Sequence, residues 1–182
     1  MARTLNGLSC LVYGTGLSSE HPGKAERVGL RDRLQELGVD ARFAEDILAG
    51  KQIPNGDFLR SQLIEATPFD LIIALQPPNT LTDAPTLRGE LHDLSWAQNL
   101  FPRVAVLRPL VHSPNAPYYA FDAVVSRFID DHVFSYEMAN FTLVHFMDLL
   151  TPWLEEVLFR KELGLWPDPS PPMQAWLQGV TY

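Results

Sequence analysis

An α/β fold with a mostly parallel, five-stranded sheet is predicted by three features of the sequence. Short apolar runs alternate with segments of helical character along the 182 residues. The strongest run, Phe69-Asp70-Leu71-Ile72-Ile73-Ala74-Leu75, is continuously rather than alternately apolar, so both faces of its sheet should be covered. Glycine, proline and asparagine gather between the runs, where the chain has to turn. A series of such strand–helix units builds parallel strands through right-handed crossovers.

The elements follow in order. Leu8 to Tyr13 reads as a buried strand that leaves into the loop Gly14-Thr15-Gly16. A helix is expected from about Lys24 to Gly38, with Leu30, Leu34 and Leu37 forming one apolar stripe and the glycine ending it. Val39 to Ala44 is a short second strand, followed by Glu45, Asp46 and a loop carrying Gly50, Pro54 and Gly56. A helix over about residues 57–66 precedes the third strand, Phe69 to Leu75. After Gln76-Pro77-Pro78 comes a loop, a helix over about residues 85–99, and a fourth strand, Val104 to Leu107, ended by Arg108-Pro109. A short helix over 118–128 and a fifth strand from His132 to Tyr136 are expected next. The last helix runs from Asn140 to about Leu163, and Pro152 should kink or break it. The result is a three-layer sandwich of the flavodoxin-like or Rossmann-like kind.

At roughly 150 residues per domain, the length argues for a single domain over residues 1–164. Residues 165–182 form a proline-rich tail in which Met173, Trp176 and Leu177 could dock on the domain or on a partner. With 46% hydrophobic residues the chain can build its core without disulfides, and its one cysteine, Cys10, excludes a disulfide framework and a multi-cysteine metal site. Cys10 itself is expected to be an inert buried thiol. A net charge of −8 with no Lys/Arg-rich run argues against a non-specific nucleic-acid binder. No apolar run reaches the roughly 18 residues of a membrane span. The polar start Met1-Ala2-Arg3-Thr4 does not read as a signal peptide, so a cytoplasmic location is expected.

Parallel sheets bind ligands beyond the carboxyl ends of their strands, where strand order reverses. That rule selects the loops after each strand, and with them Gly14, Thr15, Gly16, Asp46 and Gln76 as candidate ligand contacts. A dinucleotide fingerprint would need a third glycine at position 19, which is Ser19, and Gly23-Lys24 lacks the spacing of a Walker loop. Gly14 and Gly16 still allow close approach of a ligand backbone-on, with Lys24, Arg27 and Arg31 available to a phosphate; a plain strand-to-helix turn is the other reading.

The second constellation is Thr82-Asp83-Ala84-Pro85-Thr86-Leu87-Arg88-Gly89-Glu90. Pro85 suits a first helical turn and Asp83 or Thr82 can cap it. Glu90 stands seven residues after Asp83, nearly two turns, so both carboxylates can share one face. Two such neighbours push their pKa values apart, which suits acid/base or nucleophilic work. A capping aspartate beside a surface glutamate is the alternative. The five histidines, His21, His92, His112, His132 and His145, are dispersed and show no metal-ligand spacing, so neither a metal nor a cofactor is expected. The apolar stripe of the last helix, from Leu143 to Val157, can cover the sheet and also supply a homo-oligomer contact.

Taken together, a first strand ending in Tyr13-Gly14, a helix closing on Glu36-Leu37-Gly38, and the third strand with its following Asp83 and Gly89-Glu90-Leu91 resemble the nucleoside 2-deoxyribosyltransferase-like group. They are more distantly similar to TIR-like NAD-cleaving domains. The resemblance covers residues 8–110 or so. It implies cleavage or transfer of an N-glycosidic bond of a nucleoside, nucleotide or NAD-like substrate. Glu90 would attack the anomeric carbon or stabilise an oxocarbenium-like sugar. Asp83 would bind or protonate the base, and Tyr13 would orient the glutamate. The sequence departs from the group at Pro85, Thr86, Leu87 and Arg88, where small residues are usual, and Arg88 offers a cation for a phosphate. The other expectation is a non-catalytic nucleotide-sensing or partner-binding module of the same fold.

Overall fold

The computed structural model describes residues 4–14, 23–48, 68–76, 91–92, 94, 101–110, 130–137 and 142–166. Five strands are present among them: β1 (Ser9–Gly14), β2 (Asp40–Phe43), β3 (Leu71–Leu75), β4 (Val104–Pro109) and β5 (Val133–Tyr136). All neighbours pair in parallel, and the sheet order is β2-β1-β3-β4-β5. This is the flavodoxin-like order, in which the chain reverses direction across the sheet between β1 and β3. Among the described residues the helices α1 (Lys24–Glu36), α2 (Ala44–Leu48) and α3 (Leu143–Glu162) accompany the strands.

Strand alternation divides the core. Cys10, Val12, Ala41, Phe43, Leu71, Ile73, Leu75, Ala105, Leu107 and Tyr136 point to one face and pack against Leu30 and Leu34 of α1 and Phe146, Leu150, Leu154 and Val157 of α3. Leu11, Tyr13, Ile72, Ala74, Val104 and Val106 point the other way and are equally buried, so the second face is covered too. The three layers predicted from the continuous apolar runs are therefore present. Cys10 is fully buried, and burial pushes its thiol pKa far up, so it stays protonated.

Local chemistry explains the helix ends. Gly38 ends α1 at φ 90°, donating to the Gln35 carbonyl at 2.9 Å while Val39 N–H reaches the Leu34 carbonyl at 3.0 Å. This pair of bonds is the Schellman motif, and it needs a residue without a Cβ penalty. Thr142 caps α3 by accepting the His145 N–H at 3.1 Å. Gly29 of α1 leaves the space that Leu143 of α3 fills.

Several elements differ from the sequence reading. The chain after β2 turns straight into α2 instead of a loop, because Glu45 and Asp46 in the first turn suit the positive end of a helix. β4 continues through Arg108 to Pro109; a proline at the last position of a strand costs no interior ladder bond. Helix α3 passes through Pro152 without ending. Pro152 and Asp148 are both exposed, so water can take the carbonyl that the missing N–H leaves open. Of the helix expected over 85–99, Leu91 and Leu94 are buried one turn apart and His92 is exposed. The helices expected over 57–66 and 118–128, and the tail from 167, lie outside the described residues.

The amino edge of the sheet is tied by Asp70. Its carboxylate accepts from the Ser9 N–H and hydroxyl, each at 2.8 Å, and from Lys161 Nζ at 2.7 Å. Its carbonyl accepts Trp166 Nε1–H at 3.1 Å. These bonds fasten the end of α3 to β1 and β3. On the same edge His132 lies half-buried, its ring edge-on to Trp153 at 5.3 Å between centroids. Burial lowers its pKa, against the pull of Asp131 and with the push of Arg160. The unfolded chain therefore takes up the proton first as pH falls below the ordinary value of 6.5, and stability is lost. Urea midpoints measured from pH 7.5 to 5 should fall more steeply for the native protein than for His132→Gln; parallel curves would reject the assignment.

Candidate functional site

The carboxyl ends of β1 and β3 lie side by side at the point where strand order reverses. Tyr13 is in register with Ala74, and Gly14 with Leu75, which places Gln76 just beyond Gly14 on the adjoining strand. Parallel neighbours sit about 4.8 Å apart, so the ends of these two strands form one edge. Tyr13 is buried on the face away from α1 and α3. Gln76 continues the alternation of Ile72 and Ala74 onto that same face.

Gln76 is held firmly. Its N–H donates to the Leu107 carbonyl at 2.9 Å, extending the β3–β4 ladder one residue past the strand. Its carbonyl accepts the hydroxyl of Tyr136, which reaches across from β5 and stacks edge-on against Phe146 at 4.9 Å. The residue is 1% exposed, and among the described residues its amide nitrogen Nε2 has no hydrogen-bond partner. Buried polar atoms are nearly always paired, so an orphan at a strand end calls for an explanation.

Gly14 borders a second arrangement. A Cβ there would come within 2.9 Å of Arg27 Cδ and 3.1 Å of the Leu75 carbonyl, so only glycine leaves room for the arginine. Arg27 is 1% exposed and forms a two-pronged ion pair with Glu45, at 2.6 and 2.7 Å. Its Nη2 also donates to the Val12 carbonyl at 2.7 Å, and the guanidinium lies 4.8 Å from the Phe43 ring centroid. This geometry corrects the expectation that Arg27 serves a phosphate: the guanidinium faces inward and binds Glu45. Arg31 is likewise engaged, over the Phe43 ring at 4.5 Å and against Asp32 at 2.6 Å.

The expected site residues therefore divide as follows. Tyr13, Gly14 and Gln76 meet at the β1/β3 edge. Asp46 is exposed on α2, one strand further out. Thr15, Gly16, Asp83, Arg88 and Glu90 lie outside the described residues. Two participants were not expected, Glu45 and Tyr136. The signal for the first pair was present: Arg27 falls three residues before Leu30 on the apolar stripe, where a charge has to be buried with a partner. Tyr136 had none, because its contact spans 60 residues of sequence.

Elsewhere, a groove of about 220 Å³ runs between α1 and α3, lined by Arg33, Leu37, Val144, Met147, Asp148, Thr151 and Glu155. None of the expected site residues lines it. Among the described residues no cluster of three or more His, Cys, Asp or Glu is placed to hold a metal, and no helix is long and apolar enough to cross a membrane. Neither a protein-family model nor a curated protein sequence matches this chain, so its function is read from its own residues and their geometry.

Proposed function

We propose that this protein cleaves or transfers the N-glycosidic bond of a nucleoside, nucleotide or NAD-like substrate at the carboxyl edge of β1 and β3. One observation carries the reading. Tyr13, Gly14 and Gln76, drawn from separate sequence segments, converge at the switch point of a parallel sheet of order β2-β1-β3-β4-β5. That is the position where sheets of this kind take nucleotide-type ligands. A buried amide donor at the end of β3 suits a flat, hydrogen-bonding ligand.

The chemistry belongs to the carboxylates that follow β3 in sequence. In this reading Glu90 bonds to the anomeric carbon, or stabilises it as an oxocarbenium, while the carbon–nitrogen bond breaks. The bonding electron pair leaves with the base; a base that departs as an anion takes a proton from Asp83, whereas a pyridinium base of the NAD kind departs neutral and needs none. Water then attacks the anomeric carbon and gives up its proton, releasing the sugar and restoring both carboxyl groups; an acceptor base in place of water gives transfer. Tyr13 orients the attacking carboxylate.

The test is incubation of the purified protein with NAD and with a panel of 2′-deoxynucleosides, followed by chromatography for free base. Base release from at least one substrate is expected. A panel without release, in a protein whose melting temperature those compounds still raise, replaces the enzyme with a nucleotide-binding module.

A further inference from the structure

The geometry points to Gln76 as the residue that selects the ligand of this edge, with Tyr136 as its positioning residue. The inference rests on the reading that the carboxyl edge of β1 and β3 is the binding site. Three facts support it. The Gln76 amide nitrogen is buried and lacks an acceptor among the described residues, in a residue 1% exposed. Leaving a buried donor unmade is costly, whereas an apolar side chain of the same shape would avoid the cost. The backbone on either side is fixed, by the Leu107 carbonyl and by the Tyr136 hydroxyl. Tyr136 is itself 1% exposed and held by Phe146, so the root of the carboxamide cannot drift.

A donor held this way is ready for an acceptor that none of the described residues supplies. The matching chemistry is a neutral heterocycle bearing a ring nitrogen or carbonyl oxygen on its edge, as every nucleobase does. A carboxamide offers a donor and an acceptor side by side, which suits the paired groups on such an edge. Out of contact with bulk water the bond gains strength, and a ligand without the acceptor is rejected. Gln76 therefore reads the base, and Tyr136 acts on binding only through Gln76.

Gln76→Met, Gln76→Glu, Tyr136→Phe and the double variant Gln76→Met/Tyr136→Phe test this. Melting of the ligand-free proteins and calorimetric titration with deoxyadenosine, deoxycytidine and NAD are the measurements. Gln76→Met should melt about 2–4 °C higher than the native protein, because its unpaired donor is gone. It should also bind the native protein's best ligand at least about tenfold more weakly, and Gln76→Glu, which has no donor when ionised, should do the same. Tyr136→Phe should weaken binding, and the double variant should be no weaker than Gln76→Met alone, the coupling expected of one unit. A lower melting temperature for Gln76→Met, unchanged affinity, additive losses, or no binding of any of the three compounds by the native protein overturns the inference. Binding that depends on Gln76 without base release keeps it and overturns only the catalytic reading.

Discussion

Glu45→Ala should lower the unfolding free energy by about 3 kcal/mol, and Arg27→Met by roughly half as much. The asymmetry comes from where the two charges sit. Arg27 is 1% exposed, while the Glu45 side chain is 36% exposed. Taking away Glu45 removes the carboxylate partner of a guanidinium that stays in the core. Removing Arg27 instead deletes the buried charge, keeps much of the apolar stem and lets Glu45 return to water. For a chain of this size the larger loss corresponds to a melting temperature roughly 6–12 °C lower. Because the guanidinium is buried while the carboxylate is partly exposed, added salt should weaken the effect less than it weakens that of the exposed pairs Arg42–Asp40 and Arg160–Glu156. Urea unfolding of the two variants checks this, and a Glu45→Ala protein as stable as Arg27→Met contradicts it.

Glu90→Gln should reduce base release at least about a hundredfold, with melting temperature unchanged within about 2 °C. The substitution keeps the size and hydrogen-bonding capacity of the side chain and deletes the negative charge. A carboxamide neither attacks the anomeric carbon nor balances the positive charge that builds on the sugar as the base departs. Asp83→Asn should have its largest effect on substrates whose base leaves poorly without a proton, since Asp83 is assigned to protonation. Release at the native rate in Glu90→Gln would remove this residue from the chemistry. The melting measurement separates loss of chemistry from loss of folding.

Much of the architecture was open to reading from sequence because it depends on short-range pattern. The runs Leu8–Tyr13, Phe69–Leu75 and Val104–Leu107 are predominantly apolar segments of strand length, and each contains or overlaps a strand of the sheet. Gly38 marked the end of α1 because its positive φ is a backbone requirement visible at one position. The errors came where a single residue type was given too much weight. Pro152 does not interrupt α3, since its face of the helix meets water, and acidic residues after Phe43 start a helix rather than a loop.

At the candidate site, strand ends were readable and partners were not. Tyr13, Gly14 and Gln76 were marked by lying at the ends of apolar runs. Their being neighbours depends on β3 pairing with β1, which no local pattern specifies. The roles of Arg27 and Tyr136 depend on contacts across 18 and 60 positions of sequence.

From sequence alone the chain is an α/β protein with covered sheet faces, an inert thiol and carboxylates following its third strand, because periodicity and residue chemistry act over a few residues. Strand order, the inward turn of Arg27 onto Glu45 and the pinning of Gln76 by Tyr136 were decided only in three dimensions. There the burial of charges and amides must be balanced by groups that folding alone brings within hydrogen-bond reach.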